Sequence, residues 1–342
     1  MSYLKWLSET ASFWWNDSAI LEDMDAAIDN GATGVTTNPL LVKRSLTGRP
    51  DTWAPYFSSL DKGLSVSEKT EEVIRIVTAE IAKKFLPIFH QTNGKQGFVC
   101  AQVNPNFQGD ADKMIAMAKR LNIWADNIAI KLPATAAGLE ALEECASLGM
   151  TTVGTVSFTV PQSLEIARKQ TKGVQRAGKA GIKPGQHFSV VMIGRQDDYL
   201  RDIIHDAKMD IPESHIQQAG TAVIKRAYRI IQAEGLVSSL MPAGMRGGYH
   251  TTDLSGAGMS MSISSNIQAL LENETEPYKE HIDEKVDKDI IDRLMTVSEF
   301  RRAYEPDGMR PDEFISYGLS QRTLSQFVDA GWGAIAEYVT MV

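Results

Sequence analysis

Lys131 offers the chemistry that stands out in this chain. It lies in the run NIAIKL at 127–132, where Ile128, Ile130 and Leu132 fall on one face of an extended segment and Ala129 and Lys131 on the other. With the aliphatic trio packed against helices, Lys131 points into an interior beside small residues, where an ammonium loses water. Desolvation favours the neutral amine, which attacks a carbonyl to form a Schiff base. The resulting iminium weakens the neighbouring carbon–carbon bond, so that a carboxylate can take the proton of a β-hydroxyl as that bond breaks. Asp17, closing SFWWND, is the carboxylate found at a comparable strand end. A plainer reading stays open beside this one, in which Lys131 and Asp17 form a buried ion pair that only fixes the fold.

The elements that must carry these residues recur along the chain. β-rich runs at 12–17, 33–37, 98–103, 127–132, 151–156, 187–193, 237–243 and 259–264 alternate with stretches of helical periodicity. In the helix expected over 136–148, Leu139, Leu142 and Ala146 share a face, Thr135 is placed to cap the start and Gly149 to stop the end. Repeated strand–helix units predict an α/β fold, the (β/α)8 TIM barrel; a doubly wound sheet is disfavoured because no G-x-G-x-x-G turn follows a strand. In such a barrel the active site forms at the carboxyl ends of the strands. Asp17, Asn38 of TTNP, Gln102, Lys131 and Thr155 would then gather at one mouth. Segments at roughly 43–96 and 265–342 exceed the minimal barrel and read as extra helices of a single domain, 1–342, the second as a C-terminal helical extension. Its charged run ENETEPYKEHIDEKVDKDIIDR reads as a solvated helix surface.

Composition narrows the partners. Lys and Arg number 35 against 43 Asp and Glu, a net charge of -8, which argues against nucleic acid or anionic membranes. No apolar run approaches the ~18 residues of a membrane span, and the start MSYLKWLSETASFWWNDSA lacks a leader pattern. Cys100 and Cys145 allow no disulfide framework beyond one bridge and no zinc cluster, so a reducing cytoplasm is expected. The histidines form no constellation: His90 and His205 fall in helical stretches, His215 near a helix start, His281 in the charged C-terminal helix and His187 at the start of strand six.

GATGVTTNPLLV at 31–42 resembles the second-strand signature of transaldolases, and NIAIKLPATAAGLEAL followed by GMTTVGTVSF resembles their lysine strand, helix and fifth strand. The resemblance continues through IGR at 193–195, AGMR at 243–246 and FRRAYEPDGMRPDEFISYG, and so covers most of the chain. It implies a transferase that moves a dihydroxyacetone unit from sedoheptulose 7-phosphate or fructose 6-phosphate to an aldose phosphate, with no cofactor and no metal. By that similarity Lys131 is the Schiff-base residue, Asp17 the acid/base, Gln102 and Thr155 the holders of water, and Asn38 and Thr37 the holders of substrate hydroxyls. Arg195 and Arg246 match the arginines that grip the substrate phosphate, with Gly244 in the same loop. The expected partners are small sugar phosphates, with homo-oligomerisation left open.

Three departures qualify the resemblance. Gln102 stands where transaldolases usually carry a glutamate, and a glutamine positions water without exchanging a proton. The same substitution marks fructose-6-phosphate aldolases, which release dihydroxyacetone; their strand-six tyrosine is matched here by Met192. Val190 faces a family serine position while the adjacent Ser189 turns toward the helices, and Gly244 replaces a hydroxyl, although Gly247 and Gly248 let backbone N–H groups approach an anion. Tyr249 and His250, just after that loop, are candidates for a missing proton donor. An aldolase, or a non-catalytic barrel that binds sugar phosphates through Arg195 and Arg246, stays as the alternative.

Overall fold

A computed structural model describes residues 1–58 and 60–341; Ser59, inside the first extra segment, and Val342, the end of the second, lie outside the described residues. Eight parallel strands form the centre: β1 Phe13–Asn16, β2 Gly34–Val35, β3 Phe98–Gln102, β4 Ile128–Pro133, β5 Thr152–Thr155, β6 His187–Val191, β7 Ser239–Pro242 and β8 Ser260–Ile263. The ladder runs β7-β6-β5-β4-β3-β2-β1-β8, and its ends meet where β7 lies against β8 and Ser239 Oγ donates to Gly258 O at 3.3 Å. With helices outside, this is the (β/α)8 barrel that the alternating runs predict, each strand falling inside its expected window except β4, which runs one residue past it to Pro133.

Ring contacts across the barrel settle which side chains point inward. Trp15 of β1 meets Phe188 of β6 at 4.9 Å between centroids, and Phe98 of β3 meets the same ring at 6.3 Å. These strands are not neighbours, so the rings meet inside, at the amino end of the barrel. Gly34 of β2 has to be a glycine here, because a Cβ would come within 2.6 Å of the Trp15 ring. Alternation then carries the inward face upward to Asp17, Thr36, Gln102, Lys131, Thr155 and Met192. Ser189 has the other parity, and its hydroxyl turns out to Ser163 O of the adjacent helix at 3.5 Å.

The expected helix after β4 spans Ala136–Ser147, with the Thr135 side chain accepting from Gly138 N and Gly149 at φ 81° beyond its end. The segment after β2 folds as helices Pro39–Gly48, Pro50–Phe57 and Val66–Gln91. The charged run differs from expectation. It is helical only over Lys288–Leu294, and His281 sits in non-helical chain. Pro277 interrupts helical hydrogen bonding, and buried Lys225 takes the backbone instead, donating to His281 O at 2.8 Å and Glu284 O at 2.7 Å. No helix among the described residues is long and apolar enough to cross a membrane. Cys100 and Cys145 are free and buried.

His187 opens β6 as a buried, neutral ring whose Nδ1 lies 2.9 Å from Thr152 Oγ1. Burial pushes its pKa from 6.5 down to about 4. Between those values the unfolded chain binds a proton that the folded chain does not, so stability is complete above pH 6.5 and falls as the pH drops toward 4, by about 3 kcal/mol. His187→Gln should remove this part of the acid destabilisation. Urea midpoints at pH 7 and 4.5 check it, and an equal acid loss in the variant would contradict it.

Candidate active site

The carboxyl ends of the strands open into a cleft of about 500 Å3 lined by Asp17, Asn38, Arg44, Arg195, Gly244 and Arg246, with Phe327 among the residues that wall it. Below it, Lys131 is 4% exposed and makes one hydrogen bond, from Nζ to Thr37 O at 3.4 Å. An ammonium has three donors, so two are left without an acceptor among the described residues. Among the described residues no ion pair joins Lys131 to Asp17, and the purely structural pairing is not formed.

Asp17 is held by a chain of hydroxyls. Thr36 Oγ1 donates to Asp17 Oδ1 at 2.7 Å and lies 2.7 Å from Ser262 Oγ. Because Thr36 has a single hydroxyl proton, Ser262 is the donor in the second contact. Asp17 Oδ2 has no hydrogen-bond partner among the described residues. Thr37 Oγ1 donates to Cys100 O at 2.6 Å, which spends its proton on the sheet; the residue meets the site through the carbonyl that holds Lys131. Burial pushes the Cys100 thiol up to about 11, so it is protonated and inert near neutral pH.

Gln102 and Thr155 share the inward face with Lys131, Gln102 directly beside it in the β3–β4 register and Thr155 two residues beyond the lysine's β5 partner Val153. Both are buried, and Gln102 Oε1 and Thr155 Oγ1 have no hydrogen-bond partner among the described residues. Buried polar atoms of this kind are rare and cost about 1–3 kcal/mol each.

Asn38 has two jobs at once. Its backbone is extended, and its Oδ1 accepts from Leu41 N at 3.0 Å, capping the helix Pro39–Gly48. The cap fixes the carbonyl end of the amide and leaves the NH2 end as a donor toward the cleft. The same helix brings Leu40, Leu41 and Arg44 to the cleft wall. Arg44 was not singled out from the sequence, although its spacing from Leu40 and Leu41 places the three on one helical face.

Arg195 lies in the first turn of the helix Ile193–Asp206, donates to Thr323 Oγ1 at 3.3 Å and sits 5.9 Å from the Phe327 ring centroid. Burial lowers its pKa, with repulsion from Arg246 and Arg44 adding to this and Asp17 and Asp198 opposing it. Arg246 donates to Asp198 at 2.7 Å and to Gly244 O at 2.8 Å. Gly244 has φ 62°, a conformation open to glycine but strained for a residue with a hydroxyl side chain. Thr323 and Phe327 come from the helix Gly318–Gln326 and the π-helical turn Phe327–Gly333, so the C-terminal extension walls the site. His250 is fully buried with both ring nitrogens bonded, to Arg246 N and Asp197, and does not reach the cleft as a proton donor. Tyr249 is absent from the cleft wall.

An eight-stranded α/β barrel with a buried lysine under a cationic mouth is therefore the class of protein that the fold and site define. The sequence matches the transaldolase/fructose-6-phosphate aldolase family over residues 14–316, and the chain belongs to that family. It is similar to transaldolase 1 of Streptomyces avermitilis, 29% identical over 62% of this chain and 58% of that one. It is also similar to a transaldolase of Arthrobacter sp. strain FB24, 26% identical over 60% of this chain and 56% of the other, and to one of Neisseria gonorrhoeae, 29% identical over 59% and 57%. The chain thus spans less than two thirds of the length of these relatives.

The double role of Asn38 separates stability from site chemistry. Asn38→Ala should cost about 1 kcal/mol by loss of the cap, whereas Asn38→Asp should keep the cap. Thermal denaturation reads the difference, and equal losses in the two variants would remove the cap from the account.

Proposed function

We propose that this protein is a transaldolase-type enzyme that moves a dihydroxyacetone unit from a phosphorylated ketose to an aldose phosphate through a Schiff base on Lys131. The observation that carries this reading is Lys131 itself, inside the barrel and, among the described residues, with no carboxylate partner, on the same inward face as two polar atoms, of Gln102 and Thr155, that also lack partners there. In the proposed course Lys131 Nζ attacks C2 of fructose 6-phosphate or sedoheptulose 7-phosphate. Water positioned by Gln102 and Thr155 serves the dehydration of the carbinolamine to the iminium. Asp17 Oδ2 takes the C4 hydroxyl proton as the C3–C4 bond breaks; its electron pair moves into the iminium, giving an enamine on Lys131 and a free aldehyde. Attack of the enamine on a second aldehyde, with Asp17 returning the proton, completes transfer. Hydrolysis then frees the lysine.

Asn38 supports the substrate hydroxyls in this scheme, and Arg195, Arg246 and Arg44 face the phosphate. Arg44 has no acidic partner among the described residues, and Arg195 bonds only a hydroxyl, so the cleft carries cationic charge that an anion would neutralise. Gln102 favours a second outcome on the same lysine. Without a carboxylate there, protonation and hydrolysis of the enamine would release dihydroxyacetone, which is the aldolase alternative.

Borohydride reduction after incubation with fructose 6-phosphate should leave an adduct on Lys131, absent in Lys131→Met. Failure to trap it with a panel of anionic ketoses would sink the Schiff-base reading. Asp17→Asn should still form the adduct, now retaining six carbons, with turnover reduced roughly 10²–10⁴-fold. Arg44→Gln should raise KM for fructose 6-phosphate several-fold and leave KM for unphosphorylated fructose unchanged. Steady-state kinetics decide this, and equal changes for both sugars would exclude Arg44 from the phosphate site.

A further inference from the structure

The two arginines most directly aimed at an anion come from different elements, Arg195 from the helix Ile193–Asp206 and Arg246 from the loop after β7. Gripping one phosphate requires their separation to be fixed. The residues just after Arg195 make that connection. Asp198 accepts from Arg246 Nε at 2.7 Å, at a partly exposed position where a single ion pair contributes little. Asp197 turns inward instead, and its Oδ2 lies 2.8 Å from His250 Nε2, with both side chains fully buried.

The hydrogen bonds assign the protons. His250 Nδ1 accepts from the backbone N–H of Arg246 at 3.1 Å, so the ring proton lies on Nε2 and is donated to Asp197. The other carboxylate oxygen, Oδ1, accepts from Gly220 N at 2.8 Å. Both carboxylate oxygens and both ring nitrogens are therefore occupied. The loop has further ties: Ala243 N donates to Val191 O at 2.9 Å, and Thr251 Oγ1 lies 3.2 Å from Met245 Sδ.

We propose that Asp197 and His250 are positioning residues that lock the Arg246 loop to the Arg195 helix and so set the span of the anion-binding site. The proposal rests on the reading of this cleft as the site of a phosphorylated ketose. Two features support it beyond ordinary packing. The acceptor side of the imidazole is spent on the backbone of the very residue that presents the guanidinium, and the carboxylate that orients the ring stands two residues from the other arginine. With Gly244 in place of a hydroxyl-bearing residue, the loop has no side-chain ligand of its own before Arg246, and its backbone shape carries more of the binding.

Two substitutions separate the halves of the imidazole. His250→Gln places an amide near Nε2, keeping a donor for Asp197 and losing the acceptor for Arg246 N. His250→Asn places its amide near Nδ1, keeping that acceptor and leaving buried Asp197 without the ring. Calorimetry with inorganic phosphate should show at least tenfold weaker binding in both variants, because each cuts one of the two hydrogen bonds that tie the loop to the helix, and His250→Asn, which leaves a buried carboxylate without the ring, should be the less stable of the two. The same proteins, reduced with borohydride in the presence of neutral dihydroxyacetone, should all form the Lys131 adduct. Unweakened phosphate binding in either variant, loss of phosphate and adduct together, or failure of His250→Gln to fold would each overturn the proposal. Hydrogen exchange in the unaltered protein gives a check free of mutation: the Arg246 amide should be strongly protected, and exchange at the rate of an open loop would also overturn it. Phosphate binding that follows the expected pattern without any Lys131 adduct would instead refute the Schiff-base reading and leave the positioning pair standing.

Discussion

Packing of three aromatic rings at the amino end of the barrel fixes everything above it. Trp15, Phe98 and Phe188 meet inside from separate strands, and a strand has a side-chain period of two. Once those rings are inward, Asp17 lies two residues along β1, Gln102 four along β3 and Met192 four beyond Phe188. The β3–β4 pairing of Gln102 with Lys131 then brings the lysine to the same height. A slip of one residue in any strand would turn its polar residue out among the helices. The site chemistry therefore depends on a hydrophobic plug that touches none of the reacting groups.

Charge is organised in two layers above that plug. The lower layer holds one cation, Lys131, and one carboxylate, Asp17, each engaged by oxygen groups of the strand ends instead of by the other. The upper layer is arginine-rich, and Arg195 is there despite burial and the like charges of Arg246 and Arg44. Holding such a group in place has a cost, which the anionic ligand of the proposed function would offset.

The sequence made the barrel legible because each strand is short, β-rich and followed by a periodic helix. It singled out Lys131 through strand alternation and Asp17 through its place at a strand end, both local properties. What stayed hidden arises from contacts far apart in the chain. Thr323 and Phe327 reach Arg195 across more than a hundred residues, and Thr36 bridges Asp17 to Ser262. The helix expected in the charged run fails for the same kind of reason, since Lys225, remote in sequence, satisfies the backbone of that segment. Thr37 was legible as a site residue by its place in TTNP, but which of its atoms faces the lysine depends on Cys100 of the next strand.

The departures from the family pattern are physically connected. A hydroxyl-bearing residue at position 244 would meet the strain of φ 62°, so glycine there goes with a tight turn that lets Arg246 bond back onto its own loop. The buried His250 under Arg246 ties that turn to Asp197 of the neighbouring helix. Gln102 is a parallel exchange on the other side of the cleft. A glutamate beside Lys131 would pair with the ammonium and bring a second negative charge near Asp17, whereas the amide keeps the hydrogen-bonding shape without either effect. Both replacements shift work from a side chain that titrates or donates to the geometry that surrounds it. The mouth of this barrel thus relies on fixed positions, and in the proposed course Asp17 is left as the carboxylate that moves a proton.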